Sequence, residues 1–368
     1  MVANTRKMYE VQQILYSILN EEMYLCDTFN SLIEGGRLGQ EELAGFRKAA
    51  KRPMLHADEI RIVDKEEVMN NPYLKNIQFP NVQVNNMLLS KKRIIKPGYL
   101  NRDKEEYRDL KTMKQVNSYY YCDRGLRFPG IVEADSSTCW MTVEPFEINT
   151  FKDFINDATG DVLLFGCGLG YVAYMVSLKD DVTSITIVDN NDDVIELFST
   201  YLLPQFENKD KITICKSDAI EYLNSCDINS FDHVNVDIWY DVYDMIFPYL
   251  RSLEVEFNNP NVKFSYWLEG SLKESIQRSI LAAICNYPTP GFLIDKIASD
   301  IVRDTEIKSY EDVYNLVDIH NLRELLYKWY CDNIDVVNEY EKIDMEKVKQ
   351  SHQVTKKLIN GDYIRNKI

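Results

Sequence analysis

Residues 161–191 read DVLLFGCGLGYVAYMVSLKDDVTSITIVDNN. An apolar run breaks into glycines at alternate positions, Gly166, Gly168 and Gly170, and a second apolar run stops at Asp189. A continuous apolar run of strand length reads as a strand covered on both faces. A glycine turn leading straight into a helical pattern opens a βαβ unit. The alternation then continues through KITICKSD, AIEYLNSC, FDHVNVDIW, an amphipathic stretch at 241–257, and VKFSYWLEG. Five strands alternating with helices predict an α/β chain built on a doubly wound, mostly parallel sheet with helices on both faces. Such sheets bind ligands at the carboxyl ends of their strands, where strand order reverses. The expected strand ends are Gly166, Asp189, Asp218, Asp237 and Glu269, an acid or a glycine in every case.

The spacing of the glycines narrows the ligand. A dinucleotide turn is G-x-G-x-x-G, and its third glycine position is Tyr171 here; no G-K-[ST] follows, so a Walker loop is absent too. The pattern is G-x-G-x-G, which suits a smaller, flatter ligand than a pyrophosphate. VLLFGCGLGY resembles the first motif of class I, Rossmann-like S-adenosylmethionine-dependent methyltransferases. ITIVDNNDDVIELF, ITICKSDAIEYL and FDHVNVDIW are similar to that family's next three motifs, in the same order. The resemblance covers roughly 160–270. It implies S-adenosylmethionine as cofactor, with Gly166, Gly168 and Gly170 under its methionine and ribose and Asp189 on both ribose hydroxyls. It also implies Asp218, followed by Ala219, at the adenine amino group, and Asn190 beside the adenine face. A strand-terminal Asp can equally be a helix N-cap, which describes Asp218 well and is open to Asp189.

Methyl transfer from a sulfonium needs an oriented nucleophile and a place for its proton. Asp237 and Tyr240 stand where the fourth strand ends and are the expected catalytic residues. They match the outer positions of the [DN]-P-P-[YF] motif of amino-group methyltransferases, but Ile238 and Trp239 replace both prolines. Trp239, Tyr240 and Trp140 are candidates for the acceptor pocket's walls. A second branch also resembles this chain: VTSITIVDNNDDVIELF is similar to a motif of spermidine synthase-like aminopropyltransferases, which use the decarboxylated donor and a polyamine. There Asp237 would be the base. That branch's D-x-x-D pair is absent, since the next acid is Asp241. Its glutamine-rich and D-E-x-x-Y motifs have no match upstream, although WMTVEPFEINTF places Glu144 and Glu147 in the right region; they otherwise read as ordinary surface residues. A third reading is a non-catalytic binding or scaffold protein on the same fold.

The remainder sets bounds. At 368 residues the chain suits more than one region, and 45% apolar residues supply a core. We expect a helical region over 1–72, a small β-rich lead-in over 73–145, the cofactor domain over 146–290 and a helical region over 291–368. Within the last, FLIDKIASDIV is the one stretch that could hold the strands of the antiparallel hairpin usual in the family. Tyr119 to Tyr121 read as a covered strand, and KKRIIK (91–96) as a solvated loop. The net charge of −16 argues against a nucleic-acid partner, whose affinity comes from neutralised phosphates. Eight scattered cysteines without a C-x-x-C pair and four distant histidines support neither a metal site nor a disulfide framework. No signal-like or membrane-spanning run is evident, so a cytoplasmic protein acting on a small-molecule acceptor, possible as a homodimer, is expected.

Overall fold

The computed structural model describes residues 55–63, 65–95, 101–102, 105, 107–109, 114–122, 125–135, 139–284, 289–307 and 310–344. Its centre is a five-stranded parallel sheet: β1 Gly160–Phe165, β2 Val182–Asp189, β3 Ile212–Lys216, β4 His233–Val236 and β5 Lys263–Tyr266. Their spatial order is β3-β2-β1-β4-β5. The chain therefore winds outward from β1 in one direction, returns, and winds outward in the other from β4. The crevice between β1 and β4 is where a sheet of this kind opens.

The apolar runs are continuous because both faces are covered. Val162 and Leu164 pack into one cluster with Ile185 and Ile187, while Leu163 and Phe165 face the other way with Val188, Val234 and Val236. This is the two-residue alternation of a strand. The first face carries α1 Tyr171–Ser177 and α2 Asp192–Leu197, together with the lead-in. The second carries α3 Ala219–Ser225, α4 Val242–Asn258, α5 Glu269–Ile284, α6 Leu293–Asp304, α7 Tyr310–Leu316 and α8 Ile319–Asp332. A further helical turn run occupies 334–344.

Several expectations change. The proposed helices of the first 54 residues lie outside the described residues. Leu55–Val63, placed in the helical N-terminal region, is a strand, and it pairs in parallel with Lys114–Cys122. A second, antiparallel lead-in sheet joins Val82–Val84, Met87–Ile95, Leu126–Glu133 and Cys139–Thr142. KKRIIK is thus mostly strand rather than loop, because Arg93 to Ile95 pair with Leu126 to Phe128. Tyr119 and Tyr120 are buried, as a covered strand requires. FLIDKIASDIV is helix α6: Leu293, Ile294, Ile297, Ala298 and Ile301 fall on one buried helical stripe, a period a strand cannot use. The sheet has five strands among the described residues, with no closing hairpin. No helix of the described residues is long and apolar enough to cross a membrane.

Candidate functional site

The glycine turn leaves β1 against the end of β4. Gly166 has φ 96°, and a Cβ there would stand 2.1 Å from the carbonyl oxygen of Asp237. Gly168 has φ 46°, and its Cβ would stand 2.2 Å from Met141 Sδ. The turn thus needs glycine for the protein's own packing as well as for a left-handed backbone, which is more than close approach of a ligand. Gly170 precedes α1 as its N-cap.

Other parts of the chain hold the turn in place. The Cys167 N–H donates to Asp189 Oδ2 at 2.8 Å, and the Asn191 N–H donates to Asp189 Oδ1 at 2.8 Å. Asp189 therefore ties β1's turn to β2's end while remaining half-buried on the cavity wall. Burial raises its pKa above the usual range, and backbone N–H bonds from Cys167, Asn191 and Asn190 pull it back. The helix after β2 is capped by Asn191 rather than Asp189: its Oδ1 accepts from Asp193 N at 3.0 Å and Val194 N at 3.2 Å. Two lead-in side chains grip Leu169. Met141 Sδ accepts from its N–H at 2.9 Å, and the Tyr73 hydroxyl donates to its carbonyl.

Asp218 is the N-cap of α3. Its Oδ1 accepts from Ile220 N at 2.9 Å and Glu221 N at 3.0 Å, so capping holds, and Asp218 and the buried Ala219 still line the cavity. Asn190 is exposed on the same wall.

Asp237 begins where β4 ends, its N–H donating to Phe165 O at 3.1 Å. Burial, followed by repulsion from Asp189, pushes its carboxyl up to about 7. Glu147, on the short helix Pro145–Thr150, lines the same cavity. Burial pushes it well above the carboxylate range, and repulsion from Asp237 and then Glu144 adds to that. This corrects its reading as an ordinary surface residue. A hydrogen-bond chain braces the region: Trp239 Nε1 donates to Trp267 O at 3.0 Å, Trp267 Nε1 to Thr150 Oγ1 at 3.1 Å, and Thr150 Oγ1 to Glu147 O at 2.9 Å. The Phe151 ring stacks on Trp267, with centroids 6.2 Å apart.

The expected aromatic walls divide. Trp239 borders the cavity but is buried, with its N–H spent on Trp267. Tyr240 is 43% exposed and meets Trp140 edge-on at 5.4 Å. Burial raises the Tyr240 hydroxyl's pKa, and Glu133 and Asp244 add to the effect. Asp241, the acid at the wrong spacing for a D-x-x-D pair, caps α4 in a reciprocal box with Asp244. Glu269 is the expected strand-end acid that the structure removes from the site. The strand stops at Tyr266, and Glu269 opens α5 in ion-paired contact with Arg323. Trp267 occupies the strand end instead, and the early stop of β5 is why pattern reading missed it.

The cavity encloses about 870 Å³. Its described lining carries Glu147, Asp189, Asp218, Glu221, Asp237, Asp244 and Glu341, against one basic side chain, Arg251. Arg251 is already occupied, bonding Glu341 at 2.8 and 2.7 Å through two nitrogens. Such a site favours a ligand that brings its own positive charge.

No protein-family model matches the chain, and no curated protein matches it. Among solved structures, the chain is similar to spermidine synthase from Thermotoga maritima at 18% identity, covering 45% of this chain and 56% of that one, with a TM-score of 0.29. It is similar to the Trypanosoma brucei PRMT1 enzyme-prozyme complex with AdoHcy at 16% identity, covering 32% and 36%, with a TM-score of 0.24. A precorrin 8W decarboxylase from Methanobacterium thermoautotrophicum matches at 18% identity, covering 34% and 65%, with a TM-score of 0.27. The chain spans less than two thirds of the length of each.

Proposed function

We propose that the chain binds S-adenosylmethionine at the carboxyl ends of β1, β2 and β4 and transfers its methyl group to a small-molecule acceptor. The observation that carries the reading is Asp189. Each of its oxygens accepts one backbone N–H, and a carboxylate oxygen has two acceptor positions. With the Asn190 N–H as a third backbone donor, the acceptor capacity that remains would serve the ribose hydroxyls. Asp218 and Ala219 would meet the adenine, with Asn190 flanking it, and the turn at Gly166 to Gly170 would underlie the ribose and methionine portion.

The donor supplies an activated methyl group on a positively charged sulfur. The residues of this chain supply the rest. Asp237 and Glu147 stabilise positive charge and can take a proton, while Tyr240 and Trp140 border the acceptor's side of the cavity. The excess of carboxylates also favours a second reading, aminopropyl transfer from the decarboxylated donor to a polyamine.

Calorimetric titration with S-adenosylmethionine, S-adenosylhomocysteine, the decarboxylated donor and NAD separates the readings. The proposal expects micromolar binding of the first two, none of NAD, and no preference for the decarboxylated donor. A clear preference for that donor moves the assignment to aminopropyl transfer. A folded protein that binds none of them is a scaffold, and the proposal fails.

A further inference from the structure

Asp237 and Glu147 share a feature that a structural acid does not have. Neither carboxylate has a hydrogen bond or an ion pair among the described residues, and both line the cavity. Among the described residues no Lys or Arg contributes to the electrostatics of either one: Asp189 acts on Asp237, and Asp237 and Glu144 act on Glu147. Enclosed carboxylates left like this cost several kcal/mol each unless something compensates them. Their positions are nonetheless firmly held: Asp237 by Phe165, and Glu147's helix through Thr150, Trp267 and Trp239.

We propose that the acceptor is a cationic amine whose nitrogen binds between Asp237 and Glu147, and that Glu147 is the residue that selects it. The inference rests on the proposed function. The donor's sulfonium brings one positive charge to a group of acids that includes Asp189, Asp237 and Glu147, and an ammonium acceptor brings the second. Trp267, Tyr240 and Trp140 line the same cavity, and such aromatic surface favours a cation carried on an apolar chain. For transfer, the ammonium nitrogen loses one proton to a carboxylate of the pair and its freed lone pair bonds to the methyl carbon. The carbon–sulfur pair stays on sulfur, which becomes a neutral thioether. The product is a methylated ammonium, so one positive charge remains on the nitrogen and the other ends as the carboxyl's proton.

Three probes of one shape and different charge test this: hexylamine, hexanol and hexanoate. Each is titrated into the full chain with and without S-adenosylhomocysteine, alongside Glu147→Gln and a MgCl2 control. Hexylamine is expected to bind at least about tenfold tighter than hexanol, and hexanoate not at all. Glu147→Gln should weaken hexylamine by about tenfold while changing S-adenosylhomocysteine affinity by less than about threefold. Hexanol matching hexylamine in the unaltered protein overturns the proposal without reliance on any variant. So does hexylamine binding that ignores Glu147→Gln, or that Mg2+ displaces. Failure of S-adenosylhomocysteine to bind sinks the cofactor reading separately, because charge-selective binding of hexylamine is read in the same samples without it.

Discussion

Two groups of enclosed acids lie on the same sheet and are treated in opposite ways. At β5, Glu256 and Glu269 surround Arg323. Its Nε and one terminal nitrogen bond Glu269 at 2.7 Å each, and the other terminal nitrogen bonds Glu256 at 2.7 Å. Tyr249 donates to Glu269 at 2.6 Å and Tyr266 to Glu256 at 2.9 Å, while the guanidinium lies 5.0 Å from the Tyr266 ring centre. Every carboxylate oxygen there has a partner. At the end of β4, Asp237 and Glu147 have none among the described residues. The first group is complete and ties α8 to α4, α5 and β5. On the proposed reading, a bound cation completes the second. Acidity alone therefore does not mark the site; missing compensation does.

Removing the cation from the complete group should have the largest effect. Arg323→Met leaves two enclosed carboxylates unpaired, and the expected loss is about 3–5 kcal/mol in chemical denaturation. Cofactor affinity in the remaining folded protein should be unchanged. A mild loss, or one confined to ligand binding, would erase the distinction between the two groups.

Asp189→Ala comes next. It removes two charge-assisted acceptors for the ribose and releases Cys167 and Asn191, so S-adenosylhomocysteine affinity should fall at least about 100-fold by calorimetry. A variant that binds normally would return Asp189 to a purely structural role.

The incomplete group should respond in the opposite sense to the Arg323 group. Burial, followed by Asp189, pushes the Asp237 carboxyl up to about 7 in the fold, above its unfolded value. A raised acid contributes stability at low pH that is lost as pH rises from about 4 through 7. Asp237→Asn should therefore stabilise the ligand-free protein by about 2–4 kcal/mol at pH 8 and by only about 1 kcal/mol at pH 5. Thermal melts at both pH values read this directly. Destabilisation at pH 8 would mean that Asp237 has a partner the account lacks.

The smallest effect belongs to the turn's clamp. Tyr73→Phe removes the hydroxyl that holds the Leu169 carbonyl, and S-adenosylhomocysteine affinity should fall about fivefold. No change would show that Met141 and Asp189 hold the turn without it.

What could be read from the chain beforehand follows the range of the interactions. The sheet, the glycine turn and the acids at 189, 218 and 237 are encoded by patterns within a few residues, and all of those positions line one cavity. Glu269 was misplaced because β5 stops at Tyr266, and an apolar WL continues the pattern past the strand. Leu55–Val63 departs from the expected helical region because a short apolar stretch fits more than one period, whereas α6 keeps the helical period expected over 291–368. Trp267 and Arg323 carry no sequence signal as partners, and Glu147 is reached only through the resemblance to the aminopropyltransferase branch. Glu147 lies 90 residues from Asp237 and Arg323 lies 54 from Glu269, and no local pattern encodes such pairings.

The most direct test of uncompensated acids awaiting a cation compares the cationic S-adenosylmethionine with the neutral S-adenosylhomocysteine between pH 6 and pH 8. As Asp237 ionises, the affinity ratio should move toward the sulfonium by about tenfold in the unaltered protein and stay flat in Asp237→Asn. A ratio independent of pH in the unaltered protein, or a folded protein that binds neither molecule, would contradict the account.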